Sequence, residues 1–206
     1  MVSYWIGRMW LWFFGWRCET RQPSHPKFVI IGAPHTSGWD LPFTLATAYV
    51  MRIHVNWMGK HTLFSGPFGW FYRALGGLPV NRSGSQNLVA QTAATFREAE
   101  RLIIAVAPEG TRQRADHWKS GFYYIAREAG VPIGCGYLDY TRKVCGVGLF
   151  LTPSGDVRAD MDRIREFYRG IRGRYPDLQI EPRLREEATR EAGALPQVVS
   201  EARTTA

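Results

Sequence analysis

The sequence predicts a single α/β domain: a mostly parallel sheet flanked by helices, preceded by a Trp-rich amphipathic helix suited to an interface. Three observations carry that expectation. From residue 27 onward, apolar runs of strand length alternate with helical patterns, the order that builds a sheet covered on both faces. The chain shows neither an internal repeat nor a long linker, and its 206 residues suit one core. Four of the eight tryptophans fall within the first 16 residues, so the aromatic surface is concentrated at one end.

Taken in order, residues 4–17 (YWIGRMWLWFFGWR) draw as a helix with Trp5, Met9, Trp12 and Trp16 in one stripe, Trp10 beside it and Leu11, Phe13 and Phe14 widening the apolar surface. Such a helix is about 20 Å long, against about 30 Å of bilayer hydrocarbon, so spanning is not expected. Trp with Arg8, Arg17, Arg21 and Lys27 suits the headgroup boundary. Arg8 also interrupts the apolar run a signal peptide would need. The competing reading is a helix packed on the protein's own core.

Residues 27–33 (KFVIIGA) read as a buried strand, 41–51 as a helix and 54–59 as a strand. A short helix is expected over 67–76, and a clearer one over 86–100. RLIIAVA (101–107) is a strand and 119–130 a helix closed by Gly130. Residues 131–140 and 143–150 read as strands joined by a short turn, hence antiparallel, and 158–175 as a charged amphipathic helix. The expected divisions are an interfacial helix over 1–24, a catalytic-type domain over 25–183 and a polar tail over 184–206.

Hydrophobic residues make up 45% and charged residues 21% of the chain, which excludes a disordered or collagen-like protein. A net charge of +8 favours an anionic partner: nucleic acid, anionic lipid or a phosphorylated substrate. Nucleic acid ranks last, because the aromatics gather in one helix instead of interleaving with a basic face. Three cysteines without zinc spacing exclude a disulfide scaffold and point to a reducing compartment. Cys135 and Cys145 read as small buried apolar groups. His25, His54, His61 and His117 have the placement of ordinary surface or helix-end residues.

Three polar motifs fall where strands end, the usual location of function in open α/β sheets. The first strand runs into Pro34-His35-Thr36-Ser37-Gly38-Trp39-Asp40. A histidine and a carboxylate five residues apart in a glycine-containing loop can fold into contact. The carboxylate then holds one ring nitrogen protonated and leaves the other to take a proton from a hydroxyl. That is the base and orienter of a triad without a protein nucleophile; alternatively, Asp40 caps the helix after it. Arg82 stands beside Ser83 and Gln86, a capping-box pattern whose free N–H groups suit a phosphate, unless it is a plain surface arginine. Glu109-Gly110-Thr111-Arg112 follows RLIIAVA, and its two charges either pair with each other or shape a polar pocket with Arg82.

The order of these motifs resembles the glycerolipid acyltransferase family, the group that acylates lysophosphatidic acid. Its Asn-His-x4-Asp motif is matched by His35 and Asp40, with Pro34 in the asparagine place. Its glycine-rich run ending in arginine is matched by 76–82, and its Phe-Pro-Glu-Gly-Thr-Arg by 107–112, with Ala107 for phenylalanine. Val131-Pro132-Ile133 matches the last motif, so the resemblance covers roughly 27–140.

The resemblance implies transfer of a fatty acyl group from acyl-CoA or acyl carrier protein to the hydroxyl of a lysophospholipid or related lyso-lipid. His35 would be the general base and Asp40 its orienter, with no acyl-enzyme. Arg82, Glu109, Gly110, Thr111 and Arg112 would hold the acceptor's phosphate. No metal or organic cofactor is implied. The implied partners are membrane lipids, the acceptor and the thioester donor, met at the cytoplasmic face of a membrane by a peripheral protein anchored through Trp5, Trp10, Trp12 and Trp16. Pro34 and bulky Trp39 depart from the pattern near the acceptor's path, so the acceptor need not be lysophosphatidic acid. Competing functions are a thioesterase or lysophospholipase using the same pair, and a non-catalytic lipid-binding protein, against which the intact His35 and Asp40 count.

Overall fold

The structure, a computed structural model, describes residues 2–20, 22–80 and 85–187. Arg82, with its flanking cap pattern at Ser83, lies outside the described residues. Six helices and seven strands run in the order α1 (Val2–Phe13), β1 (Arg17–Cys18), β2 (Lys27–Gly32), α2 (Asp40–Val50), β3 (Asn56–Lys60), α3 (Gly69–Ala74), β4 (Gly77–Val80), α4 (Ser85–Glu98), β5 (Leu102–Val106), α5 (Gly121–Ala129), β6 (Ile133–Asp139), β7 (Val144–Leu151) and α6 (Val157–Tyr168), as counted among the described residues.

One sheet holds all seven strands in the order β1-β7-β6-β2-β5-β3-β4. Strands β6, β2, β5, β3 and β4 are mutually parallel, and β7 returns antiparallel to β6. The domain is therefore the mostly parallel α/β sheet that the alternating pattern predicts.

Buried strands carry the core on both faces. In β2, Val29 and Ile31 join Phe96, Ile104, Phe122, Ile133, Met161 and Ile164 on one side. Phe28 and Ile30 turn to the other, with Met51, Ile103 and Val147. Right-handed crossovers place α2 and α3 on the second face and α4 and α5 on the first; α4 packs on α5 and α1 on α2 accordingly. Gly130, at φ 65°, closes α5 in the left-handed conformation that glycine adopts without penalty. Asp156 starts α6 by accepting from the N–H groups of Arg158 and Ala159.

Helix α1 divides the expected aromatic stripe. Its inner side presses Gly7 so close to α2 that a Cβ there would lie 2.6 Å from the Ala46 carbonyl oxygen, and Leu11 is buried behind it. Its outer side exposes Val2, Trp5, Ile6, Met9, Trp12 and Phe13. Trp16 does not belong to the exposed stripe: the helix ends at Phe13, Gly15 turns the chain at φ 72°, and Trp16 stacks on Phe43 at 4.5 Å with 6% of its surface exposed. Trp10 is half-buried against Phe14 and Phe43, which leaves Trp5 and Trp12 as the outward tryptophans of the four. No helix among the described residues is long and apolar enough to cross a membrane.

Further departures are local, among them an unexpected short strand at β4. Residues 17–18 form a strand, pairing with Val144 and Cys145 at the sheet edge; two residues give no periodicity to detect. The helix expected over 158–175 stops at Tyr168, because Ile171 is drawn into the core and the glycines at 170 and 173 do not sustain helix.

Candidate active site

All five parallel strands end at one edge of the sheet, and the connection leaving β2 goes to the opposite face from the one leaving β5. These two strands are neighbours, so their C-terminal loops diverge and leave a crevice between them, the ordinary ligand position of an open α/β sheet. Pro34 to Asp40 emerges from β2, and Pro108 to Arg112 from β5.

The β2 loop wraps around its own carboxylate. Asp40 is buried, with 4% of its surface exposed, and stands at the start of α2 without capping it. Its Oδ2 accepts from the backbone N–H of Thr36 (3.1 Å) and of Ser37 (3.0 Å). The same oxygen lies 3.0 Å from Nδ1 of His35. Oδ1 accepts from the Tyr140 hydroxyl at 2.8 Å, delivered from just beyond β6. Such a carboxylate has one rotamer and one direction to offer the imidazole. With Nδ1–H committed to Asp40, Nε2 carries the lone pair, and the His35 side chain keeps 30% of its surface exposed. Burial, and then the hydrogen bond to Asp40, push the Tyr140 phenol upward, so it remains a neutral donor.

The β5 loop supports the same histidine from behind. Oε1 of Glu109 accepts from the His35 backbone N–H at 3.1 Å. Glu109 is buried at 6% exposure, and its Oε2 has no partner among the described residues. Desolvation raises its carboxyl above the ordinary value. Glu109 therefore pairs with neither Arg112 nor solvent; it ties the two loops together. Gly110 takes φ 67°, a left-handed conformation that glycine adopts without strain. Thr111 is exposed and accepts from the Gln113 N–H at 3.2 Å, closing its own turn. Arg112 is exposed, with Nη1 2.9 Å from where a Gly38 Cβ would stand, which brings a guanidinium against the histidine loop.

The family model described as Acyltransferase matches residues 17–135, more than half of the chain and all three polar motifs. The chain belongs to the acyltransferase family. No curated protein is similar enough in sequence to stand as a relative of this acyltransferase. Among solved structures it is similar to the 1-acyl-sn-glycerophosphate (LPA) acyltransferase PlsC of Thermotoga maritima, with TM-score 0.56 and 15% identity over 82% of this chain and 77% of that one. That likeness shows the fold.

The structure thus brings His35, Asp40, Glu109, Gly110 and Arg112 to one crevice. It adds Tyr140 and Thr36, and also residues 172–175, whose Tyr175 N–H donates to Thr36 Oγ1 and whose Arg172 carbonyl accepts from the Tyr140 N–H; the sequence pattern selects none of these. Tyr140 follows a strand of the parallel set, so its place on the active edge was open to inference. Residues 172–175 carry no such signal. Among the described residues, no group of three His, Cys, Asp or Glu side chains stands close enough to hold a metal ion.

Proposed function

We propose that this acyltransferase moves a fatty acyl group from a thioester, acyl-CoA or acyl carrier protein, to the hydroxyl of a lysophospholipid or related lyso-lipid. The observation that carries the reading is the His35–Asp40 pair, held at 3.0 Å by a carboxylate with three further hydrogen bonds. His35 Nε2 accepts the proton of the acceptor hydroxyl as the oxygen attacks the thioester carbonyl. The tetrahedral intermediate collapses by breaking the C–S bond, and the departing thiolate takes the proton from His35 to leave as the thiol. No acyl-enzyme forms. Arg112, and Arg82 by family resemblance, hold the acceptor's phosphate.

The acceptor is drawn from a membrane on which the protein lies peripherally, at the cytoplasmic face where the donor is met. The exposed side of α1 supports this, as does a second group of exposed apolar residues around α3 (Leu63, Phe68, Trp70 and Phe71), on the same side of the sheet by crossover handedness. Arg8 and Arg52 stack over Tyr4 at the border of the first group, at 5.8 and 4.7 Å from the ring centroid, which suits anionic headgroups.

The test is transfer of labelled acyl groups from acyl-CoA and acyl carrier protein to a panel of lysolipids in vesicles, comparing wild type with His35→Ala. Transfer is expected to disappear in the variant. Full transfer by the variant would sink the general-base assignment, and release of free acid without transfer would make the enzyme a hydrolase.

A further inference from the structure

The family match ends at residue 135, yet the chain returns to the crevice after α6. The Tyr175 N–H donates to Thr36 Oγ1 at 3.1 Å. Gly173 packs so tightly that a Cβ would lie 2.8 Å from Thr36 Oγ1 and 3.2 Å from Pro34 Cβ. The Tyr140 N–H donates to the Arg172 carbonyl at 2.9 Å. Residues 172–175 are therefore clamped onto the two chain neighbours of His35 and onto the residue that orients Asp40.

This clamp delivers Arg174. Its guanidinium carbon lies 5.5 Å from the Trp39 ring centroid, 5.8 Å from that of Tyr175 and 6.0 Å from that of Tyr140. Three rings bind the cation by their faces and limit its rotamers, while leaving its planar fork of N–H donors to two oxygens of an anion such as phosphate. Arg174 is exposed, and among the described residues no carboxylate forms an ion pair with it or with Arg112. Arg112 approaches Gly38 and Arg174 lies over Trp39, so two uncompensated guanidinium groups flank consecutive residues of the turn between His35 and Asp40.

We propose that Arg174 forms, with Arg112, a phosphate-binding subsite on the rim of the His35 crevice. The ligand chemistry is a phosphate monoester or diphosphate. Two sources fit, the headgroup of the acceptor and the nucleotide end of a coenzyme A donor. The proposal rests on the acyl-transfer reading for its biological ligand, but not for its test.

Isothermal titration of the full chain in detergent with sn-glycerol 3-phosphate and, separately, adenosine 3′,5′-bisphosphate separates the two sources, with glycerol and adenosine as phosphate-free controls. Wild type is expected to bind one of the two phosphates. Arg174→Ala should weaken that binding about tenfold, the worth of one charge-assisted contact, and Arg174→Lys should recover only part of it, because lysine lacks the planar fork. In transfer assays Arg174→Ala should raise KM for the matching substrate by a similar factor, with kcat within about twofold. Binding of neither phosphate by wild type, or equal binding by wild type and Arg174→Ala, overturns the subsite. Failure of the His35→Ala test would remove the general-base reading while leaving these titrations decisive. Thermal melts of each variant check that the clamp remains folded.

Discussion

Replacing Tyr140 by phenylalanine removes one oxygen and leaves the ring between Trp16 and Phe43, whose centroids lie 4.9 and 6.0 Å away. The lost interaction is the 2.8 Å hydrogen bond to Asp40 Oδ1, the only one that oxygen has among the described residues. Hydrogen bonds to charged groups are worth about 1.5–3 kcal/mol, and the half-exposed position of Tyr140 favours the lower end. About 1.4 kcal/mol corresponds to a tenfold change in rate. Tyr140→Phe is therefore expected to lower kcat about tenfold at unchanged KM, because it loosens the group that aims His35. The decisive comparison is a cycle with Asp40→Asn, read by steady-state acyl transfer into vesicles. In the Asn background the carboxamide keeps its oxygen on the Thr36 and Ser37 N–H groups and turns its NH2 to Tyr140, so the hydroxyl no longer stabilises a charge. Adding Tyr140→Phe there should cost no more than about twofold. Equal losses in both backgrounds would refute the reasoning and reduce Tyr140 to a packing residue.

Glu109→Ala should lower stability by about 1–3 kcal/mol in denaturant melts, since it strands the His35 N–H without an acceptor; Glu109→Gln keeps an acceptor and should lose less. Because burial raises the Glu109 carboxyl above 4.5, its stabilising contribution is complete in acid below that value and is lost as pH rises through the raised one. Glu109→Gln should flatten that part of the stability–pH curve, and an unchanged curve would contradict the assignment. On α1, Trp5→Ser with Trp12→Ser should weaken vesicle partitioning by at least roughly tenfold at unchanged melting temperature, whereas Trp16→Ala should cost about 3–5 kcal/mol of stability. Gly173→Ala should break the Tyr175–Thr36 contact and cost about 1–3 kcal/mol, while Gly170→Ala, with nothing within 4 Å of its Cβ, should be silent in the same melts.

Local pattern made much of the molecule legible. Each strand of the parallel set except β4 announced itself as an apolar run, and His35, Asp40 and Glu109 stood out because polar groups followed those runs directly. The two-residue β1 and the short β4 escaped, since pairing with neighbours, and not their own residues, makes them strands. Asp40 read either as a helix cap or as an orienter. The Thr36 and Ser37 amides and the Tyr140 hydroxyl made it the second, and Tyr140 is a hundred residues away in sequence. Glu109 and Arg112 read either as a surface pair or as parts of a polar pocket, and burial of Glu109 against the His35 backbone excludes the pair. Trp16 belonged to the exposed stripe only while the helix was assumed to continue; the turn at Gly15 sent it inward.

By itself, the sequence determined the α/β class, the strand-end location of the polar motifs, the His–Asp pair and the amphipathic N-terminus, because hydrophobic periodicity and short motifs are local properties. Only the tertiary structure decided which tryptophans face outward, that Glu109 braces the histidine loop, that Tyr140 completes the environment of Asp40, and that Arg174 reaches the rim from beyond the family's matched segment. Those are contacts between residues far apart in the chain, and they exist only once the sheet order and crossovers have brought their loops to one edge.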